Sequence, residues 1–211
     1  MRSNSLFFAL PIALTASLFA GSVSADWSMD PARSHLAFVS IKAKDIGEVN
    51  TFTKMTGMIT DDGQVQVAMM LDSVDTLIPI RNERMREFLF RTADYKEATL
   101  TAKVDPEWIE SIKPGEISEI TAEGTLALHG TTQPMILSMQ AAMVNEDTIM
   151  VASTKPLIID AAKFGMSEGV EKLREIAGLS EISNAVPVTF VITFVDIMNS
   201  PEISQSVNSP E

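Results

Sequence analysis

The chain has 211 residues, and its 28 acidic and 16 basic side chains give a net charge of −12 at pH 7. Such an acidic surface repels nucleic acid and anionic lipid head groups, so we expect no nucleic-acid partner and no general adhesion to membranes. Cysteine is absent, which excludes disulfides and cysteine nucleophiles. A folded domain must therefore be held together by a substantial hydrophobic core.

The first 25 residues are organised like a cleaved secretory signal peptide. They carry one cation, Arg2, then an apolar run from Leu6 to Ala20 and small residues at Val23 and Ala25. We expect cleavage after Ala25, which takes the net charge from −12 to −13 and leaves a periplasmic or secreted protein. The apolar run is shorter than the ~20 residues that a spanning helix needs, so no membrane span is expected.

Short segments rich in β-branched and apolar residues recur between turn signals, which is typical of an antiparallel sheet or barrel. The turns at Asp61–Gly63 and Asn145–Asp147 predict tight links between neighbouring segments, and hence a meander in which sequence neighbours pair. Eight strands are predicted, at residues 35–44, 51–60, 64–73, 98–105, 119–129, 134–144, 148–159 and 187–196.

Three segments break the strand pattern. Residues 80–90 and 168–177 each place apolar side chains at the spacing of one helix face, and Gly178 is suited to cap the second helix. Residues 198–211 are polar, contain two prolines and lack periodicity. We expect two short amphipathic helices and a disordered tail.

One face of the predicted sheet is strongly apolar, because hydrophobic side chains alternate with polar ones along its strands. An eight-stranded barrel with such an inner face either is packed solid or encloses an apolar ligand. The thirteen methionines fit both cases, as adaptable lining or as gap-fillers. Strand alternation selects five candidate lining residues, which the opposite register would turn outward: Phe38, Met139, Phe190, Ile192 and Phe194.

Catalytic motifs are missing from the sequence. The two histidines, His35 and His129, lie far apart, and the chain has no HExxH, GxSxG, Walker or dinucleotide-binding motif. We therefore expect no catalytic residue, no metal site and no cofactor. An enzyme that acts on an apolar ligand in the barrel, with His129 or a carboxylate as acid/base, stays open as an alternative.

Four of the seven arginines fall within eleven positions, close behind Asp75 at a strand end. Ion pairs with nearby glutamates on a solvated helix face are one explanation. The other places these guanidinium groups at a barrel rim, where they brace the helix or meet an anionic head group. We expect Arg81 and Arg86 to pair with acids such as Asp75, and Arg84 and Arg91 to stay free for solvent or a head group.

Four stretches together resemble the YceI-like family, periplasmic lipocalin-like proteins that bind polyisoprenoids. They are DPARSHLAFVSIKA at 30–43, SVDTLIPIRNERMREFLF at 73–90, AEGTLALHGTTQPMILSM at 122–139 and IIDAAKFGM at 158–166. The resemblance implies a mainly β domain at 26–197, an extended eight-stranded antiparallel lipocalin-like barrel with one or two short helices. Residues 1–25 and 198–211 would flank it as signal peptide and disordered tail.

The resemblance also implies a function. It predicts a periplasmic binding protein that sequesters or carries a polyisoprenoid lipid, of quinone or polyprenyl type, with that lipid as its ligand and with homodimerisation left open. Two alternatives remain, a lipid-modifying enzyme that uses the same cavity and a solid barrel that binds protein partners.

The chain departs from the family pattern in ways that affect the ligand's head group. Arg84 stands where the family usually has histidine, and Gln133 stands where it has lysine. The stretch at 167–187 is longer than the usual hairpin, which predicts that its helix covers one barrel opening. Unchanged ligand release after deletion of 168–180 would count against such a lid.

Overall fold

The computed structural model describes residues 25–197, and in this range the backbone forms twelve strand segments of one antiparallel sheet. The segments are β1 (Ala25–Met29), β2 (His35–Lys42), β3 (Ile46–Phe52), β4 (Met55–Thr60), β5 (Gln64–Met70), β6 (Val74–Asp75), β7 (Glu97–Lys103), β8 (Ile117–Leu128), β9 (Thr131–Asn145), β10 (Thr148–Ser153), β11 (Leu157–Asp160) and β12 (Ala185–Asp196).

These twelve segments make up eight barrel strands, because short breaks divide four of the strands into two segments each. The divided strands are β1 with β2, β3 with β4, β5 with β6, and β10 with β11. Each strand pairs with the next along the chain. The last strand, β12, returns to the first, with Trp27 opposite Asp196 and His35 opposite Val191. The predicted eight-stranded antiparallel barrel and its meander are confirmed.

The strand prediction omitted β1, residues 46–50 of β3 and the two-residue β6. β1 has only five residues, too few to show a clear period. In β3 the usual alternation is inverted, since Glu48 and Asn50 face the barrel interior while Val49 is exposed. A polar-inward strand does not look like a half-buried one in sequence.

Three α-helices lie between the strands of the described range: α1 (Pro79–Arg84), α2 (Pro106–Ser111) and α3 (Ser167–Ala177). The first continues as a π-helical turn at Met85–Leu89, and the third ends at Gly178, whose φ of 64° lies in the left-handed region. Both were predicted, whereas α2 was not. Its signal was Asp105, whose carboxylate accepts a hydrogen bond from the Glu107 amide and caps the helix.

The helices occupy the two ends of the barrel. The α2 helix follows β7 and packs Trp108 and Ile109 against the core at one end. At the other end, α3 packs on the π turn at very close range. A Cβ atom at Gly169 would lie 2.5 Å from the Phe88 carbonyl oxygen, so only glycine permits this contact.

The predicted signal peptide, apart from its last residue, and the predicted tail lie outside the described residues, and both stay predictions. Within residues 25–197, none of the helices combines the length and the apolar character needed to cross a membrane.

Candidate ligand-binding cavity

The barrel encloses a cavity of about 470 Å³, which falls within the ~300–1,000 Å³ typical of small-molecule sites. Its wall is built from nearly every strand and from all three helices, and it is overwhelmingly apolar. The polar and charged lining residues gather at the end that carries α1 and α3. They are Ser40, Lys42, Glu48, Asn50, Arg81, Arg84 and Ser183.

All five residues predicted to line the cavity lie on its wall: Phe38, Met139, Phe190, Ile192 and Phe194. The strand register is therefore the one that turns the alternating apolar face inward. On β9, Met139 and Ala141 are buried while Gln140 between them is exposed. Contact of these residues with a ligand stays a prediction.

Several methionines share this wall. Met69, Met85, Met135, Met139 and Met166 line the cavity. Met58, in contrast, points outward and is exposed. The methionines of the strands are therefore divided between the inner and outer faces, since neighbouring residues of a strand face opposite sides.

Sequence reasoning missed an aromatic row on the wall. Phe52 stacks on Phe38 with ring centroids 5.3 Å apart, and it contacts Phe90 at 5.5 Å. Phe90 follows the π turn, whose Met85 and Leu89 also line the cavity. The amphipathic spacing of residues 80–90 was a usable signal for Met85 and Leu89, whereas Phe88 does not line the cavity and its backbone carbonyl packs close to Gly169 of α3.

The cavity opens between α1 and the last turn of α3. Ile78, Ile80 and Ala177 line the cavity and are also exposed to solvent. We therefore place the mouth of the cavity at these three residues. On α3, Val170 and Leu173 cover the space beside it.

Glu48 on β3 connects the barrel wall to α1 near the mouth. Its carboxylate accepts a hydrogen bond from Arg81 Nη1 at 2.5 Å and lies 2.9 Å from Lys42 Nζ. The hydrogen bond from Arg81 is the main reason that the pKa of Glu48 is lowered from its ordinary value, with Lys42 adding to the effect. Arg81 also donates to the Thr76 carbonyl at 2.6 Å, so it fixes α1 to β3 through Glu48 and to the turn after β6 through Thr76.

The prediction that Arg81 pairs with Asp75 is wrong. The Asp75 carboxylate is used in its own turn, where it accepts hydrogen bonds from the Leu77 amide at 2.8 Å and from Asn82 Nδ2 at 3.2 Å. The Leu77 amide is the main cause of the lowered pKa of Asp75. Asp75 therefore braces the start of the helix through neutral donors.

The other arginines also differ from the prediction. Arg86 donates to the Asp72 backbone carbonyl at 3.0 Å and not to a carboxylate, so it braces a strand end without an ion pair. Arg91 is not free, because it pairs with Asp94 at 2.5 Å and lies 5.7 Å from the Tyr95 ring. The helix-face explanation fails too: within residues 25–197, Glu83 and Glu87 form no ion pair.

Arg84 is the arginine that stays free, as predicted. Its side chain lines the cavity near the mouth and makes no hydrogen bond or ion pair with any described residue. Together with Lys42, Arg81 and Glu48, it gives the cavity wall three cations and one anion. This local excess of positive charge stands in a chain whose net charge is −12.

His129 lies away from the cavity wall. Its Nδ1 is 3.2 Å from the Phe164 carbonyl oxygen, and its ring packs on Tyr95 with centroids 4.3 Å apart. This position supports a structural role in the hairpin between β8 and β9. In the described part of the chain, three or more acidic or histidine side chains nowhere gather as a metal site.

Comparison with known proteins decides the family. The family model for the YceI-like domain matches residues 27–194. The chain belongs to the YceI-like family. The resemblance of its sequence motifs is thereby confirmed.

Two solved structures illustrate how this YceI-like chain compares with others. The first is a polyisoprenoid binding domain from Saccharophagus degradans implicated in plant cell wall breakdown. It is 36% identical, with a TM-score of 0.80 over 82% of this chain and 99% of that chain. The second, BcnA from Burkholderia cenocepacia, is 19% identical, with a TM-score of 0.62 over 78% and 98%, and supports the fold alone. Comparison with curated proteins gave no match.

Proposed function

We propose that this YceI-like protein is a periplasmic binding protein that holds a polyisoprenoid lipid, of quinone or polyprenyl type, inside its barrel. The observation that carries the proposal is the apolar cavity of about 470 Å³ that runs through the core. The similarity to a polyisoprenoid binding domain at 36% identity supports it, and the signal-like residues 1–25 support the location.

The driving force is the burial of the isoprenoid chain. Each Å² of apolar surface removed from water contributes about 25 cal/mol before the costs of binding are subtracted. A branched, unsaturated chain has an irregular outline, and the methionines and phenylalanines of the wall adapt to it. This lining is chemically suited to holding such a chain.

The mouth suits the polar end of the ligand. Arg84 offers a guanidinium group without a protein partner, and the buried Nε of Arg81 has no hydrogen-bond partner among the described residues. A phosphate or quinone oxygen at the mouth would accept hydrogen bonds from both. The wall thus combines an apolar cavity with cationic donors at one end.

The two alternatives have less support. A solid barrel is disfavoured by the cavity itself. A lipid-modifying enzyme that uses His129 would need this side chain at the cavity, whereas His129 packs on Tyr95. We therefore propose binding without catalysis.

Native mass spectrometry of the protein purified gently from the periplasm tests the proposal. We expect one isoprenoid lipid per barrel, which organic extraction then identifies. A ligand-free mass that stays unchanged after incubation with quinones and polyprenyl lipids would contradict it.

A further inference from the structure

The most exposed large hydrophobic side chain of the described residues is Leu77, which is 86% accessible to solvent. It follows β6 and precedes α1, at the mouth of the cavity. Its φ of 62° lies in the left-handed region, which side chains other than glycine, asparagine and aspartate rarely adopt. A strained and solvated leucine adds nothing to the stability of the fold.

The surrounding turn holds Leu77 in this position. Thr76, only 2% exposed, donates its amide to Asn82 Oδ1 at 2.8 Å, and its carbonyl accepts from Arg81. The Leu77 amide is fixed by Asp75. Several contacts impose this strained conformation on a leucine that points outward. This arrangement indicates that Leu77 contacts another molecule and does not serve the stability of the fold.

Leu77 belongs to a larger exposed apolar surface, which we call the apolar tip: Val49, Leu77, Ile78 and Ile80. The other three members are 66%, 44% and 52% exposed. Val49 and Leu77 lie at the same end of the β3–β6 ladder, since each is two residues along its chain from the Thr51–Asp75 pair. Ile78 and Ile80 also line the cavity, so an apolar edge joins the tip to the interior beside the charged side chains of the mouth.

We propose that the apolar tip docks on the surface of a phospholipid bilayer, with the cavity mouth facing the acyl chains. The apolar path from the tip to the cavity gives a lipid a route that avoids water. The passage of a lipid along this route rests on the proposed function. Docking itself is a property of the tip and is measured without cargo.

Charge supports a bilayer as the partner. The protein is acidic overall, with a net charge of −12, so most of its surface is repelled by anionic lipids. Beside the tip, Lys42, Arg81 and Arg84 outnumber Glu48 on the cavity wall, although Asp75 and Glu83 lie on the outer side. These six charges balance, whereas the whole chain carries −12, and Arg84, which has no partner among the described residues, can meet a lipid phosphate.

Leu77→Asn combined with Val49→Ser tests the inference, because neither residue lines the cavity. Asparagine adopts the left-handed conformation more readily than leucine, so this change should not lower the melting temperature. The matched control is Ile117→Ser with Ile136→Ser on the barrel wall, where the two isoleucines are 69% and 68% exposed.

Binding is measured by co-sedimentation with vesicles of phosphatidylethanolamine and phosphatidylglycerol. We expect the wild type and the control to bind, and the tip variant to bind at least about tenfold more weakly. This factor corresponds to the free energy lost when a leucine side chain is no longer buried in the bilayer. Absence of wild-type binding, or equal losses in tip variant and control, would overturn the inference. So would a wild-type dimer that the tip variant breaks while vesicle binding persists, since the tip would then contact a second copy.

Lipid retention, measured on the same proteins by native mass spectrometry, separates this inference from the proposed function. A wild type that retains its isoprenoid but does not bind vesicles overturns docking alone. A wild type that binds vesicles through the tip but never holds an isoprenoid overturns the proposed cargo and leaves docking in place.

Discussion

At the scale of single residues, Glu48 is the junction on which the geometry of the mouth depends. It faces the interior from β3, and its carboxylate forms ion pairs with Arg81 on α1 and with Lys42 on β2. All three side chains are about three-quarters buried, so the pairing is shielded from solvent more than a surface ion pair is. We expect it to contribute about 1 kcal/mol to the docking of α1, the upper part of the range for exposed pairs.

This pairing should fail in acid. The folded state lowers the pKa of Glu48, so the stabilisation is complete above the ordinary glutamate pKa and is lost as the pH falls through the lower, folded value. We expect amide hydrogen exchange at residues 76–84, corrected for the intrinsic rate, to increase between about pH 7 and about pH 3. Glu48→Gln should show the faster exchange already at pH 7. Wild-type protection in this variant would contradict the assignment.

Arg84 and Arg86 should separate ligand preference from stability. Arg84 has no side-chain partner among residues 25–197, so Arg84→Ala should change the free energy of unfolding by less than about 0.5 kcal/mol. It should weaken binding of a polyprenyl phosphate about tenfold and leave a neutral quinone within about twofold, because only the phosphate carries a full negative charge. Titration calorimetry with both ligands checks this. Equal losses for both ligands would show that Arg84 merely packs.

Arg86→Ala is the counterpart. It removes the hydrogen bond to the Asp72 carbonyl and should lower the free energy of unfolding by about 1 kcal/mol with ligand affinity unchanged. Loss of lipid binding at an unaltered melting temperature would refute this bracing role.

At the scale of secondary structure, the α3 helix can be displaced by one methyl group. Gly169→Ala places a Cβ within 2.5 Å of the Phe88 carbonyl oxygen, so α3 must shift from the π turn at a cost of about 1–3 kcal/mol. Because Val170 and Leu173 on α3 line the cavity, we expect faster transfer of bound isoprenoid to acceptor vesicles. The neighbouring exposed Glu168→Ala is the control, and an unchanged transfer rate in Gly169→Ala would argue against a lid.

Local patterns predicted most of the elements, and their failures have a common cause. The apolar alternation of β9 and β12 placed Met139 and Phe190 on the correct face. Glu48 was missed because its inward position makes sense only once Arg81, 33 residues away in sequence, contacts it. The partner of an arginine depends on how the strands are arranged, and spacing along one helix carries no information about it.

At the scale of the whole molecule, the turns at 61–63 and 145–147 indicated which strands are neighbours, because tight links force adjacent pairing. The closing contact of β12 with β1 joins the two ends of the domain, and no local signal encodes it. The amino-acid composition also could not predict whether the barrel has a cavity, since methionine and phenylalanine fill a core as readily as they line a cavity. The family resemblance supplied what the residues left open.

The cavity volume leads to a prediction about ligand length. A ligand that binds only the folded barrel stabilises it by about 2.7 kcal/mol when its free concentration is a hundredfold above Kd. Each added isoprene unit buries more apolar surface until the cavity is full. The melting temperature, followed by differential scanning fluorimetry, should therefore rise with isoprenoid length at fixed ligand concentration and then level off.

A bulkier side chain inside the cavity should shorten the isoprenoid length at which the melting temperature stops rising. Ala122 is buried on the cavity wall, so Ala122→Phe reduces the space inside. Ala127 on the same strand points outward and is exposed, which makes Ala127→Phe the control. We expect the plateau to begin at a shorter isoprenoid in Ala122→Phe and at the wild-type length in the control. A melting temperature that rises equally with ligand length in both variants would mean that the chain does not lie along the barrel interior.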